Sequence, residues 1–180
     1  MARVQARDTK WYQTFAFLAH SIHNRTPSQR ELQVTSSLQI LLVEDFEPFR
    51  RFIRSLVSQN RNLQIIAEAS DGAEAAKKAQ LLKPDLVLLD IHLPMVNGFE
   101  TARQVRELAP ETKILFLSVH DSLDIVRTAL SSGACGYVVK ADAGTELLKA
   151  VDAVARGERF ISARLKRRIS IDGETAEALV

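Results

Sequence analysis

The sequence predicts an α/β fold with a doubly wound parallel sheet, and three observations predict it. Short apolar runs recur, as in Gln39-Ile40-Leu41-Leu42-Val43 and Leu86-Val87-Leu88-Leu89. Each is followed by a segment whose apolar residues fall at helical spacing, and this pairing repeats through five units in series. Two of the runs end in acid, at Glu44-Asp45 and at Asp90. Strands buried on both faces read as continuous apolar runs. Strict strand–helix alternation places helices on both sides of one sheet. Right-handed crossovers then bring every strand's C-terminal end to the same edge.

The elements follow in order. Residues 1–37 form an N-terminal extension, either loosely ordered or carrying one amphipathic helix with Trp11, Phe15, Leu18 and Ile22 on its face. Thr26-Pro27-Ser28 and Thr35-Ser36-Ser37 punctuate it as turn or linker. A first strand over 39–44 leads into a helix over 46–59, with Phe49, Phe52, Ile53, Leu56 and Val57 on one side. A second strand over 63–69 reaches Asp71, a good N-cap for an alanine-rich helix over 72–83. The third strand covers 85–89, and Asn97 caps a helix over 98–108. A fourth strand over 113–117, a helix over 122–131, a short fifth strand over 136–139 and a last long helix over 144–156 complete the domain, 38–157. Residues 158–180 are expected to be a tail, a linker to an output domain that the chain lacks.

Composition narrows the function classes. A chain of 180 residues with 46% hydrophobic content can bury a sizeable core. The formal net charge is only +2, so no global charge demands nucleic acid. The basic excess lies in the extension: Arg3, Arg7, Lys10, Arg25 and Arg30 stand against Asp8 and Glu31. One cysteine, Cys135, cannot form an internal disulfide and suits a reducing cytosol. No apolar run reaches the roughly 18 residues of a membrane helix, so no membrane partner and a cytoplasmic location are expected. His20 and His23 lack neighbours at metal-ligand spacing.

The strand ends carry the chemistry. The first supplies Glu44 and Asp45, the third Asp90, the fourth Ser118 and the fifth Lys140. In open α/β sheets ligands bind at this edge. Three carboxylates brought together repel unless a cation neutralises them. Oxygen donors select a hard ion, and Mg²⁺ leaves room for phosphate. Lys140 and Ser118 suit phosphate oxygens, which makes Asp90 a candidate carboxylate nucleophile for a phosphoryl group. Singly, Glu44 or Asp45 could cap the next helix, Ser118 could be an ordinary strand-end hydroxyl, and Lys140 a solvated loop residue. Their conjunction at consecutive strand ends carries the functional reading.

Leu42-Val43-Glu44-Asp45, the run Asp90-Ile91-His92-Leu93-Pro94-Met95-Val96-Asn97-Gly98, Leu117-Ser118-Val119-His120-Asp121 and Gly133-Ala134-Cys135-Gly136-Tyr137-Val138-Val139-Lys140 together resemble a two-component response-regulator receiver domain. The resemblance covers about 38–162. It implies a flavodoxin-like five-stranded sheet in the order 2-1-3-4-5. It also implies Asp90 as the phosphoacceptor, loaded from the phosphohistidine of a sensor histidine kinase. Mg²⁺ is then held by Glu44, Asp45, Asp90 and the backbone carbonyl of His92. Ser118 becomes the switch hydroxyl, Tyr137 the switch aromatic and Lys140 the phosphate-facing lysine. Signalling, through a homodimer or a downstream protein, is expected across the face of helix four, strand five and helix five. The His92 side chain should face the site and modulate dephosphorylation, while His120 is expected to face solvent without a role. Such a protein is not an enzyme beyond accepting the group and shedding it by autodephosphorylation.

The wording around Ser131-Ser132-Gly133-Ala134 and Gly157-Glu158-Arg159-Phe160-Ile161-Ser162 is similar to the subfamily with a LuxR-type helix-turn-helix output domain. About 60 further residues would be needed for one, and the tail shows no recognition-helix pattern, so specific DNA binding by this chain alone is not expected. A truncated LuxR-type regulator is the alternative reading. A haloacid-dehalogenase-like phosphatase is a weaker one, because that class wants a second Asp where His92 stands.

Overall fold

The computed structural model describes residues 37–171. The extension's expected helix, with Trp11 and Phe15, lies outside the described residues, as does the end of the tail. The element order is β1 (Leu38–Val43), α1 (Glu47–Val57), β2 (Leu63–Ala69), α2 (Gly72–Leu82), β3 (Leu86–Asp90), α3 (Gly98–Leu108), β4 (Lys113–Ser118), α4 (Leu123–Ser131), β5 (Gly136–Val139), a 3₁₀ turn (Lys140–Asp142), α5 (Ala143–Ala155), β6 (Phe160–Ile161) and α6 (Ala163–Ile171). All strand pairs are parallel, in the order β2-β1-β3-β4-β5-β6.

Side-chain alternation along each strand sorts the core into two layers. Leu41, Val43, Val87, Leu89, Phe116 and Tyr137 point to the side of α2, α3, α4 and α6. Ile40, Leu42, Leu86, Leu88, Leu117 and Val138 point to the side of α1 and α5. With a core layer on each face, β3 is buried at every position and reads as an apolar run.

Local signals set the helix starts. Asp71 accepts the Glu74 amide at 2.8 Å while Glu74 reaches back to the Ser70 amide at 3.0 Å. Asn97 accepts the Glu100 amide at 3.0 Å. Pro48 occupies the first turn of α1, where a missing N–H costs nothing.

Within the region expected as a tail, the described residues form two further elements. Phe160 and Ile161 add a sixth strand beside β5, paired Gly136↔Phe160 and Tyr137↔Ile161. α6 then returns across the sheet edge and inserts Leu165 and Ile169, both 0% exposed, into the layer under α4. Two such side chains contribute roughly 1.5–3 kcal/mol each. Gly136 permits the approach, since a Cβ there would fall 2.8 Å from the Phe160 carbonyl oxygen. The basic cluster Lys166-Arg167-Arg168 hid this pattern, because the apolar positions 161, 165 and 169 are only three in number. Next to the face expected at helix four, strand five and helix five, the outer edge of β5 is hydrogen-bonded to β6, and Leu165 and Ile169 of α6 share a core layer with α4.

Candidate functional site

Register assembles the site. Val43 pairs with Leu89, Asp90 with Leu117, and Ser118 with Val139, so the last residues of four strands stand side by side. The two-residue period then divides them. Glu44, Asp90 and Lys140 share the parity of Leu42, Leu88 and Val138 and gather on the α1–α5 side. Ser118 shares the parity of Phe116, on the layer that also contains Tyr137.

On the first side, Lys140 Nζ lies 2.7 Å from Asp90 Oδ2 and 2.7 Å from Glu44 Oε2. Asp90 is 3% exposed and Glu44 1%. Only the Asp90 contact is aligned as a hydrogen bond; Glu44 Oε2 is buried and pairs by charge alone. The Lys140 ammonium also sits 4.8 Å from the centre of the Phe49 ring, a cation–π contact that fixes its long stem. The Glu44 carbonyl accepts from Arg50 Nη1 at 2.7 Å, and its Oε1 accepts the Phe46 amide at 3.2 Å. Burial pushes the Glu44 carboxyl above the usual range, Lys140 opposes that, and the neighbouring Asp90 charge adds to it.

Asp45 is exposed at the rim, and its carboxylate lies with those of Glu44 and Asp90 inside a 4.8 Å cluster. One ammonium pairs with two of the three carboxylates, one buried carboxylate oxygen lacks a hydrogen-bond partner, and every donor is oxygen. That donor set fits a hard divalent cation. A cleft of about 490 Å³ opens above the cluster, and His92 and Val119 line its mouth.

The loop after β3 is held close. Asp90 Oδ1 accepts the His92 amide at 3.2 Å, and the Ile91 carbonyl accepts the Gly98 amide at 2.9 Å. A Cβ at Gly98 would lie 2.3 Å from the Asp90 carbonyl oxygen, so only glycine lets α3 begin there.

On the second side, Ser118 is fully buried and its Oγ accepts the His120 amide at 3.2 Å. Tyr137, 0% exposed, donates its hydroxyl to the His120 carbonyl at 2.9 Å. Burial pushes the Tyr137 phenol above its ordinary value. His120 is half-buried rather than solvent-facing, and its Nε2 meets His92 Nε2 at 3.0 Å.

All the sequence-predicted residues thus meet at one sheet edge. Three contributors escaped the sequence reading: Phe49, which looked like ordinary helix-face core; His120; and Ser162, whose Oγ accepts the Val139 amide at 3.0 Å. Only Phe49 left a usable signal, as the first-turn aromatic of the helix that follows the acidic pair.

A family model described as the response regulator receiver domain matches residues 40–152. The chain belongs to the response regulator receiver family. Receivers of this kind are regulatory phosphoacceptors in two-component phosphorelay signalling. The chain is 37% identical over 126 residues to the nitrate/nitrite response regulator protein NarL of Escherichia coli K12, covering 70% of this chain and 58% of that protein. It is 31% identical over 134 residues to the transcriptional regulatory protein DegU of Brevibacillus brevis, covering 74% and 57%. The chain thus spans less than two thirds of the length of these curated relatives. A crystal structure of a LuxR-family two-component response regulator from Aurantimonas sp. SI85-9A1 superposes with a TM-score of 0.73 at 30% identity, covering 77% of this chain and 99% of that one. Among the described residues, no helix of the receiver is long and apolar enough to cross a membrane.

Proposed function

We propose that this receiver accepts a phosphoryl group on Asp90 from the phosphohistidine of a sensor histidine kinase, with Mg²⁺ held by Glu44, Asp45, Asp90 and the backbone carbonyl of His92. The observation that carries this reading is the Lys140 ammonium, 2.7 Å from both Asp90 and Glu44 inside a buried acidic cluster.

A carboxylate oxygen of Asp90 attacks phosphorus, the donor's P–N bond breaks, and its electron pair stays on the imidazole nitrogen. Mg²⁺, when bound, offsets charge on the carboxylates and the phosphoryl oxygens. Lys140 is already at hand to pair with a phosphoryl oxygen, since its ammonium needs only to rotate away from Glu44. Ser118 exchanges its contact with the His120 amide for the new acceptor. The Tyr137 hydroxyl, resting on the His120 carbonyl, follows that loop, so phosphorylation biases two packings of the 118–121 segment. The changed surface near α4, β5 and α5 is read by a second copy or a downstream protein. Hydrolysis of the acyl phosphate resets it. The transcriptional regulators among the relatives favour control of transcription as the output of a longer protein.

Incubating the full chain with Mg²⁺ and a small phosphodonor tests this. One phosphate mass should appear, and Asp90→Asn should abolish it. Undiminished uptake by Asp90→Asn overturns the assignment.

A further inference from the structure

The segment that covers the β5 edge is tied to residues adjoining the site, and to three of them at once. Ser162 Oγ accepts the amide of Val139, the residue before Lys140, at 3.0 Å. Arg164 Nη2 donates to Asp142 Oδ1 at 2.9 Å, two residues past Lys140. Arg168 Nη1 donates to the Asp121 carbonyl at 2.7 Å and lies 3.1 Å from Asp121 Oδ1, three residues past Ser118. The same 118–121 loop holds the Ser118 and Tyr137 contacts through His120. Residues 160–171 are therefore anchored on the two short segments that a charge change at Asp90 must disturb.

The anchorage is also imperfect. Glu146 Oε1 accepts the Ala163 amide at 3.1 Å, yet Glu146 Oε2 and Asp142 Oδ2 are both buried without a hydrogen-bond partner. An unpaired buried carboxylate oxygen opposes the closed arrangement. The hinge is suited to movement, since Gly157 has φ +84° and open space where a side chain would be. Against these stand the apolar contacts of Leu165 and Ile169, which hold the segment down at rest.

From this juxtaposition we infer that β6 and α6 form a latch over the edge between α4 and α5, and that phosphorylation of Asp90 loosens it. The inference rests on the reading of Asp90 given above. Drawing Ser118 and Lys140 toward the phosphoryl group shifts the Asp121 carbonyl and the Asp142 carboxylate, and the two arginines lose their seats together. The outer edge of β5 and the apolar flank of α4 are then uncovered.

Hydrogen-exchange mass spectrometry of the full chain, with phosphate mass read on the same sample, tests the latch. Peptides within 160–169 should exchange at least ten-fold faster once Asp90 carries phosphate, while peptides within 40–43 and 86–90 keep their rates. A phosphorylated chain with unchanged exchange at 160–169 overturns the latch and leaves the Asp90 reading standing. A chain that takes no phosphate overturns both. In the unphosphorylated protein, Arg168→Ala should speed exchange at 160–169 alone. No change there, or a change spread across the sheet, overturns the tie through Asp121.

Discussion

β3 is bracketed by two aspartates that do opposite things. At its start, Asp85 is exposed, and its Oδ2 accepts the Gln39 amide from β1 at 2.7 Å. Its main-chain carbonyl accepts the Lys113 amide of β4 at 3.0 Å, so one residue clamps three strand starts. At the other end Asp90 is buried, beside a second buried acid, and is balanced by the ammonium of Lys140, which directly follows β5. The hollow at the first end, about 300 Å³, has Asp85 and Asp152 in its lining but no lysine or arginine. The difference is one of direction. Strand starts are tied by local backbone bonds, whereas the loops leaving the C-terminal ends converge charged side chains on one spot. A carboxylate at the first end completes a ladder, and at the second it creates a charge deficit that a ligand can fill.

The largest test of that contrast is Lys140→Met, which keeps the apolar stem over Phe49 and removes only the charge. Phosphate uptake should fall by about 10²–10³-fold, the usual loss when one preorganised charge donor is removed. Mg²⁺ should still bind, because an ammonium that competed for the carboxylates is gone. Uptake rates measured by mass spectrometry and Mg²⁺ affinity by titration check both. Unaltered uptake would reduce Lys140 to a structural counter-ion and make the two ends of β3 alike.

Glu44→Gln has a smaller effect, and its sign is diagnostic. The Glu44 carboxyl is raised by burial, so in the folded protein it binds its proton more readily than in the unfolded chain. Its contribution to stability is therefore fully present below the ordinary glutamate range and is lost as pH rises through the raised value. At neutral pH, without divalent metal, the ionised side chain opposes folding. Glu44→Gln should then be more stable than the parent by about 1 kcal/mol, or roughly 2–6 °C for a domain of this size. The advantage should shrink as pH falls through the raised value toward the ordinary one. Adding Mg²⁺ should raise the parent's melting temperature and barely move the variant's. A variant less stable than the parent at neutral pH without metal would show that Lys140 more than compensates the burial.

These contrasts also explain what the sequence disclosed. The five-strand core was legible because fully buried strands leave unbroken apolar runs, and Asp71 and Asn97 announce their helices. The site was legible because each member stands at the end of such a run, where residue identity speaks for position. β6 and α6 were not. Two strand residues carry no periodicity, and Leu165 and Ile169 stand among Arg164, Lys166, Arg167 and Arg168, which read as a solvated tail. Their burial depends on Gly136 admitting Phe160, a contact between distant segments that no window of sequence contains. The partnership of His92 and His120 was hidden for the same reason, since it spans two loops.

The smallest effect is expected at the quiet end of β3. Asp85→Ala removes the acceptor of the Gln39 amide, but Gln39 is exposed and water can take over. The cost should be about 0.5–1 kcal/mol, the low end for a single hydrogen bond, seen as a drop of a few degrees in melting temperature. Because the site draws nothing from Asp85, that drop should be the same with and without Mg²⁺, and phosphate uptake should match the parent's. A Mg²⁺-dependent cost, or slowed uptake, would mean that the strand-start clamp sets the register at the far end of β3. The two aspartates would then be parts of one device, since a slip of β3 against β1 at Asp85 would carry Asp90 away from Glu44 and Lys140.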